Sequence, residues 1–244
     1  MKNTNLTSTN EGINTQAQLA EEARQSREQI NYSHMAKGVR IIDPATTYID
    51  ETVEIAPDTV IYPGCILEGT CKIEEGAIIG PYTHMRNTNI GKSATVRQSV
   101  LFDTTIGENT NVGPFAYLRS EAVVGDKCRI GSFVEIKNSN LGNKTSMAHL
   151  AYIGDADVGN NVNFGCGAIT ANYDGAKKHR TTICDGAFIG SNSNLIAPVT
   201  IGEGALIAAG STITDPVPEY SMGIARERQT VKENWVKEKK EASK

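Results

Sequence analysis

Large rings are scarce in this chain: aromatic residues make up 6% of 244, with a single tryptophan, so the core must be built from smaller aliphatic side chains. No apolar run approaches the roughly 20 residues that a bilayer span requires. The polar opening from Met1 to Gln16 lacks the apolar centre of a secretion signal, so the expected location is cytoplasmic. The five cysteines, Cys65, Cys71, Cys128, Cys166 and Cys184, are odd in number and contain no Cys-x-x-Cys pair, which argues against a disulfide framework or a zinc cluster. His34, His84, His149 and His179 are scattered with no pair at ligand spacing, so no metal is expected. Neither a Gly-x-Gly-x-x-Gly nor a Walker loop is present. A formal charge of −4 gives no net pull toward nucleic acid or membrane.

What the chain does have is a period of six. A short aliphatic residue, often followed by glycine, recurs at Ile49, Ile55, Ile61, Leu67, Ile73 and Ile79. The same register holds at Ile106, Val112, Leu118, Val124, Ile130 and Ile136, and again at Ile183, Ile189, Leu195, Ile201, Ile207 and Ile213. Such a period predicts an all-β solenoid, a parallel β-helix of hexapeptide repeats. Each repeat is a short strand and a turn with the aliphatic side chain inward. Three make a triangular coil of about 18 residues, stacked at roughly 4.8 Å. One coil cannot bury its own apolar face, so stability comes from stacking many. Cys65, Cys71 and Cys128 fall in the slot filled elsewhere by Ala77, Thr83, Ala94, Thr110, Ala116 and Val134, which makes them corner packing.

The register bounds the organisation. Residues 1–14, rich in Asn, Thr and Ser, are expected to be a disordered leader. Residues 15–37 predict a linker helix with a loose stripe of Leu19, Ala23 and Ile30. The β-helix is expected over 38–218, because Pro216 and Pro218 should break the ladder. A tail, 219–244, follows. In it Thr230 and Glu233 have capping-box spacing for a short helix, and Trp235 is expected to pack over the last coil. Five-residue steps at Met85 to Ile90, Ile136 to Leu141 and Ile153 to Val158 read as corner corrections. The polar stretch between Ile169 and Ile183 predicts a projecting loop, the usual place for binding residues on a regular scaffold.

Polar groups concentrate between Arg119 and Lys178. Arg119, Lys137 and Lys178 are cations of the kind a phosphate needs. Arg119 and Lys137 are one coil apart and stack on one face, which suits a phosphate site and a solvated charge ladder equally. His149 is of the type that takes a proton near neutral pH, though an isolated histidine is more often structural. Tyr152 and Asn163, one or two repeats away, are candidate hydrogen-bonding partners of a ligand.

Four runs together are distinctive: Gly113-Pro114-Phe115-Ala116-Tyr117-Leu118-Arg119, Gly131-Ser132-Phe133-Val134-Glu135-Ile136-Lys137, His149-Leu150-Ala151-Tyr152-Ile153-Gly154-Asp155-Ala156 and Thr170-Ala171-Asn172-Tyr173-Asp174-Gly175. In this order and spacing they closely resemble the acetyltransferase half of the GlmU family. These are the bifunctional bacterial glucosamine-1-phosphate acetyltransferase/N-acetylglucosamine-1-phosphate uridyltransferases, and the match covers about residues 11 to 235. The resemblance implies a left-handed coil, a hand that the repeat itself does not specify, and a homotrimer with active sites between subunits. It implies transfer of acetyl from acetyl-CoA to glucosamine 1-phosphate on the way to UDP-N-acetylglucosamine and peptidoglycan. By the same resemblance His149 is the general base. Arg119, Lys137 and Lys178 bind the sugar phosphate, Tyr152 and Asn163 place the amino sugar, and Glu135 helps orient it. Asn172, Tyr173, Ser191, Ala209 and Arg226 match the acetyl-CoA site, with Lys232 and the tail near Trp235 closing it. Cys166 is matched to the same acetyl-CoA site, where familiar relatives have alanine and where its backbone would contact the acyl chain. No Gly-rich nucleotide-binding segment precedes Thr15, so the uridyltransferase activity is expected to be missing. Two alternatives stay open: a hexapeptide acyltransferase for a different amino sugar, and a purely structural or surface-binding solenoid.

Overall fold

The computed structural model describes residues 15–243, so the leader expected over 1–14 lies outside the described residues. Thirty short strands wind into three parallel sheets of eleven, ten and nine strands, each strand pairing with one a full coil away. The chain passes from a first face (Arg40–Ile41 through Met222–Gly223) to a second (Tyr48–Ile49 through Thr212–Ile213) and a third (Glu54–Ile55 through Val199–Ile201). In most strands one residue points inward, and these aliphatics stack into a continuous core in which Ile61, Leu67, Ile79, Leu118 and Ile136 are fully buried. Cys65, Cys71 and Cys128 are buried in the corners beside them. Burial pushes the Cys65 thiol up to about 11.

The register departs from the sequence reading in two places. Val96, Leu101 and Ile106 are all buried, so two further five-residue steps occur there. Before the projecting loop the inward residue is Thr170, not Ile169, which is 40% exposed. A hydroxyl fits the core at that point because it is satisfied on both sides. Thr170 Oγ1 donates to the Gly154 carbonyl (3.0 Å) and accepts from the Gly154 N–H (2.8 Å).

Helix α1, Gln16–Ala36, starts at a capping box in which Thr15 and Gln18 exchange side-chain and backbone bonds. Leu19 and Ala23 are exposed, in keeping with the weak stripe of an exposed linker helix. Only the last turns pack, with Asn31 donating to the carbonyls of Pro44 and Thr47 at 3.0 Å each.

At the other end the prolines do not stop the ladder. They flank Val217, which keeps the polar groups the ladder uses: its N–H donates to Thr200 (3.0 Å) and its carbonyl accepts from Gly202 (2.8 Å). Met222–Gly223 then adds one more strand beside Leu206–Ile207. Helix α2, Trp235–Ala242, begins after Asn234, which sits in the left-handed region and makes no side-chain cap, so the Thr230 and Glu233 box does not form. Trp235 is half exposed, with the Lys239 ammonium 5.8 Å over its ring.

Candidate active site

The exit edge of the second face, where the chain turns toward the third, gathers charge. Register places Arg119 beside Lys137 and Lys137 beside Gly154. Arg119 donates through Nε and Nη2 to Glu135 Oε1 at 3.0 and 2.8 Å. Lys137 Nζ reaches Asp155 at 3.1 and 3.3 Å, and the Asp155 side chain is only 5% exposed. Asn138 and Asn172 donate their side-chain amides to the same carboxylate. Burial presses the Asp155 pKa upward, but the bonds from Asn138, Lys137 and Asn172 outweigh it and hold it below the ordinary value. Gly154 keeps this corner open. A Cβ there would sit 2.4 Å from the Tyr152 hydroxyl and 2.8 Å from Asn172 Nδ2, so Tyr152 folds over a bare backbone toward the cluster.

The loop between Ala171 and Thr181 adds the third cation. Asp174 accepts from the N–H groups of Lys177 (2.6 Å) and Ala176 (2.7 Å) and pairs with His179 Nε2 at 2.7 Å. The Lys177 amide, His179 and the Ala176 amide hold its carboxyl far below the usual range. Tyr173 and Lys178 bridge antiparallel across the loop, and Arg180 clamps its return. The Arg180 guanidinium takes both oxygens of Asp157 (2.9 and 2.6 Å) and the carbonyls of Asn138 and Ala156 (3.2 Å each). Lys178 is thereby held beside Lys137, and the two lysine pKa values move apart. Burial presses that of Lys137 down, yet the bonds to Lys178 and Asp155 raise it overall. Lys178 is lowered by the bond to Lys137 and then by its charge.

A second group runs along the other edge of the same face. His149 ends the strand Ser146–His149 and is exposed, and its imidazole makes no hydrogen bond or ion pair among the described residues. Backbone bonds stack the following corners: Gly167 N–H donates to Leu150 (2.7 Å), Asn192 to Cys166 (2.8 Å) and Gly210 to Ser191 (2.8 Å). Arg226 passes 3.9 Å from where a Gly210 Cβ would stand. His149, Cys166, Ser191, Ala209 and Arg226 therefore follow one edge, with Cys166 exposed. Asn163 lies on the adjoining first face, in register with Ser146 of the His149 strand. Below His149 the edge continues as Phe115, Phe133 and Leu150, all more than half exposed, with the two phenyl rings stacked at 5.5 Å.

The structure thus brings Arg119, Glu135, Lys137, Tyr152 and Lys178 together but leaves His149 across the face. His149 ends the first-face strand, and the chain turns the corner at Leu150, in the left-handed region, before Tyr152–Gly154 runs along the second face to the cations. Asn172 and Tyr173, matched to the acetyl-CoA site in sequence, stand with the cations. Lys232 lies in the tail, in a shallow depression shared with Thr230, Asn234 and Trp235. Sequence reasoning missed Asp155, Asn138, Asp157 and Arg180. A signal existed in Asp155, a carboxylate inside a run that otherwise holds small and apolar residues. Among the described residues no cluster of three or more His, Cys, Asp or Glu suits a metal.

Fold and repeat together define a hexapeptide-repeat parallel β-solenoid, and the family described as bacterial transferase hexapeptide (six repeats) matches residues 103–138 and 180–215. Solved structures share the fold. A UDP-N-acetylglucosamine acyltransferase covers 76% of this chain and 71% of its own at a TM-score of 0.55 and 20% identity. LpxA, a UDP-N-acetylglucosamine acyltransferase from Bacteroides fragilis 9343, covers 71% and 70% at 0.51 and 19%. In sequence the chain is much more similar to the bifunctional protein GlmU. Identity is 54% over 225 residues with that of Geobacillus sp. strain WCH70, covering 92% of this chain and 49% of that protein. It is also 54% with Acetivibrio thermocellus GlmU over the same length and coverage, and 50% over 228 residues with that of Clostridium acetobutylicum. The chain spans about half the length of the curated relatives it matches.

Proposed function

We propose that this chain is a glucosamine-1-phosphate N-acetyltransferase that uses acetyl-CoA, working in the cytoplasm as a homotrimer of left-handed coils. The observation that carries the reading is the exit-edge cluster of Arg119, Lys137 and Lys178, built on a chain half identical to GlmU proteins. Three cations with only two carboxylate partners leave a positive site for a phosphate monoester. Tyr152 and Asn163 place the sugar, and Glu135 fixes the Arg119 guanidinium. His149, untethered and exposed, takes a proton from the glucosamine ammonium. The freed amine attacks the thioester carbonyl, the C–S bond breaks as the nitrogen sheds its second proton to water, and the proton held on His149 passes to the departing thiolate, so that coenzyme A leaves as the thiol. Acetyl-CoA lies along the edge of Cys166, Ser191, Ala209 and Arg226, with the Arg226 guanidinium toward its phosphates.

His149 and the cations sit at opposite edges of one face, whereas amine and phosphate of the substrate are on adjacent ring carbons. A site assembled between copies resolves this: the loop with Asn172, Tyr173 and Lys178 of one copy meets the His149 edge of the next. Lys232 and the tail close over the cofactor. The exposed file of Phe115, Phe133 and Leu150 beside His149 supports burial of that edge against another chain. A steady-state thiol-release assay tests the activity. Turnover is expected with glucosamine 1-phosphate and not with glucosamine; equal rates with both would sink the phosphate-dependent reading.

A further inference from the structure

The acetyltransferase reading gives Lys137 a role but not Asp155, on which Lys137 rests. We propose that Asp155 is a positioning residue of the sugar-phosphate site: its buried carboxylate keeps Lys137 charged and aimed, and ties that lysine to the base of the projecting loop. The inference deepens the proposed function and rests on it.

Three observations converge on this carboxylate. It is 5% exposed, at a depth where an ionised group persists only with partners. It has three: Lys137 Nζ at 3.1 and 3.3 Å from its two oxygens, Asn138 Nδ2 from the preceding coil and Asn172 Nδ2 from the loop base. The Lys137 side chain is itself only 12% exposed, and its second neighbour is another lysine. A largely buried ammonium beside a second cation would lose its proton without a fixed negative charge. Asp155 is the carboxylate that contacts it. The charge count gives the consequence. Arg119 is matched by Glu135 and Lys137 by Asp155, while Lys178 forms no ion pair among the described residues. The five groups sum to one net positive charge, and Asp155 fixes which amine carries it toward the ligand. Asp155 also joins elements. Asn138 follows the Lys137 strand and Asn172 opens the loop that carries Lys178, so one carboxylate sets the spacing of both lysines.

The test is the pH profile of Asp155→Asn, an isosteric change that removes the charge. In the wild type the KM for glucosamine 1-phosphate is expected to be flat between pH 7 and 9. In Asp155→Asn, Lys137 keeps its burial and loses its counter-charge, so KM should climb about tenfold or more across that range while kcat changes little. Replacing Lys137 by arginine in the same background should flatten the profile again, because a guanidinium stays charged. A purely structural role would lower the melting temperature without creating a pH-dependent KM, and parallel profiles overturn the proposal. Should the variant not fold, NMR titration of lysines labelled at Cε in the wild-type protein decides. Lys137 must titrate above the ordinary lysine range and Lys178 below it, and the reverse order or two ordinary values refute the anchor. That titration needs no substrate. Failure of the wild type to bind glucosamine 1-phosphate by calorimetry would instead overturn the acetyltransferase reading.

Discussion

His149 has the freedom that a proton acceptor needs. It sits at a strand end, exposed, with its ring untied, while the cations that would hold substrate are fixed elsewhere. His149→Ala should therefore lower kcat by roughly 10²–10⁴-fold and leave the KM for glucosamine 1-phosphate nearly unchanged. A thiol-release assay measures both, and undiminished turnover would remove His149 as the base. Two glycines separate site from scaffold at the same scale. At Gly154 a new methyl would meet the movable Tyr152 hydroxyl at 2.4 Å, so Gly154→Ala should displace Tyr152 and raise KM while the melting temperature stays within a few degrees. At Gly131 the methyl would lie 1.9 Å from the backbone carbonyl of Ala148, which is held in the ladder. Gly131→Ala should be strongly destabilising in thermal denaturation. Equal melting temperatures for the two variants would show that the stacked corner at Gly131 can relax.

At the scale of elements the decisive piece is the loop from Asn172 to Arg180, whose shape comes from its own side chains. Asp174 turns it, and the Arg180 pair with Asp157 pins its return to the third face. The bond from Arg180, followed by burial acting the other way and a bond from Asn140, leaves the Asp157 carboxyl below its ordinary pKa. A depressed carboxyl contributes stability above the unfolded value near 4 and loses it as pH falls through the folded value. Hydrogen-exchange protection of residues 172–180 is thus expected to hold at pH 6 and weaken below about pH 4, and Arg180→Ala should lose it at both. Protection that ignored both pH and Arg180 would mean that the loop is held by other contacts. Most of the scaffold was legible in sequence because one aliphatic residue per six is a direct image of one inward side chain per strand. Legibility failed where the backbone decides. Thr170 replaced Ile169 inside because its hydroxyl meets both polar groups of Gly154, and Val217 stayed in the ladder because the prolines lie on either side of it. In the candidate site Arg119 and Lys137 showed as a pair through their spacing of one coil. Asp155 stood out only as a carboxylate in a run of mostly small residues, and Asp157 did not, since nothing in a linear pattern says that Arg180, 23 residues on, returns to cover it.

Across the whole molecule, coils stack in one direction and the two candidate groups run along opposite edges of one face. Within one chain the two groups lie at different edges of that face, which is the arrangement the proposed shared site rests on. Lys137 leans to the exit edge, toward Asp155, while His149 stands at the entry corner, with the strand Tyr152–Gly154 between the two edges. In the proposed trimer, rotation would bring the exit edge of each copy to the entry edge of the next with every interface alike. Complementation tests the arrangement directly. Chains carrying His149→Ala and chains carrying Lys178→Ala, each inactive or nearly so alone, are coexpressed in equal amounts and the mixed oligomer is purified. If a site takes His149 from one chain and Lys178 from another, random assembly leaves about one site in four with both intact, and about a quarter of wild-type turnover should return. If both residues come from the same chain, every site lacks one of them and mixing restores nothing. Recovery near one quarter, together with a trimer mass for the active fraction, would establish the shared site. The absence of any recovery in a confirmed mixed trimer would place the whole reaction on a single chain and require His149 to swing across the second face.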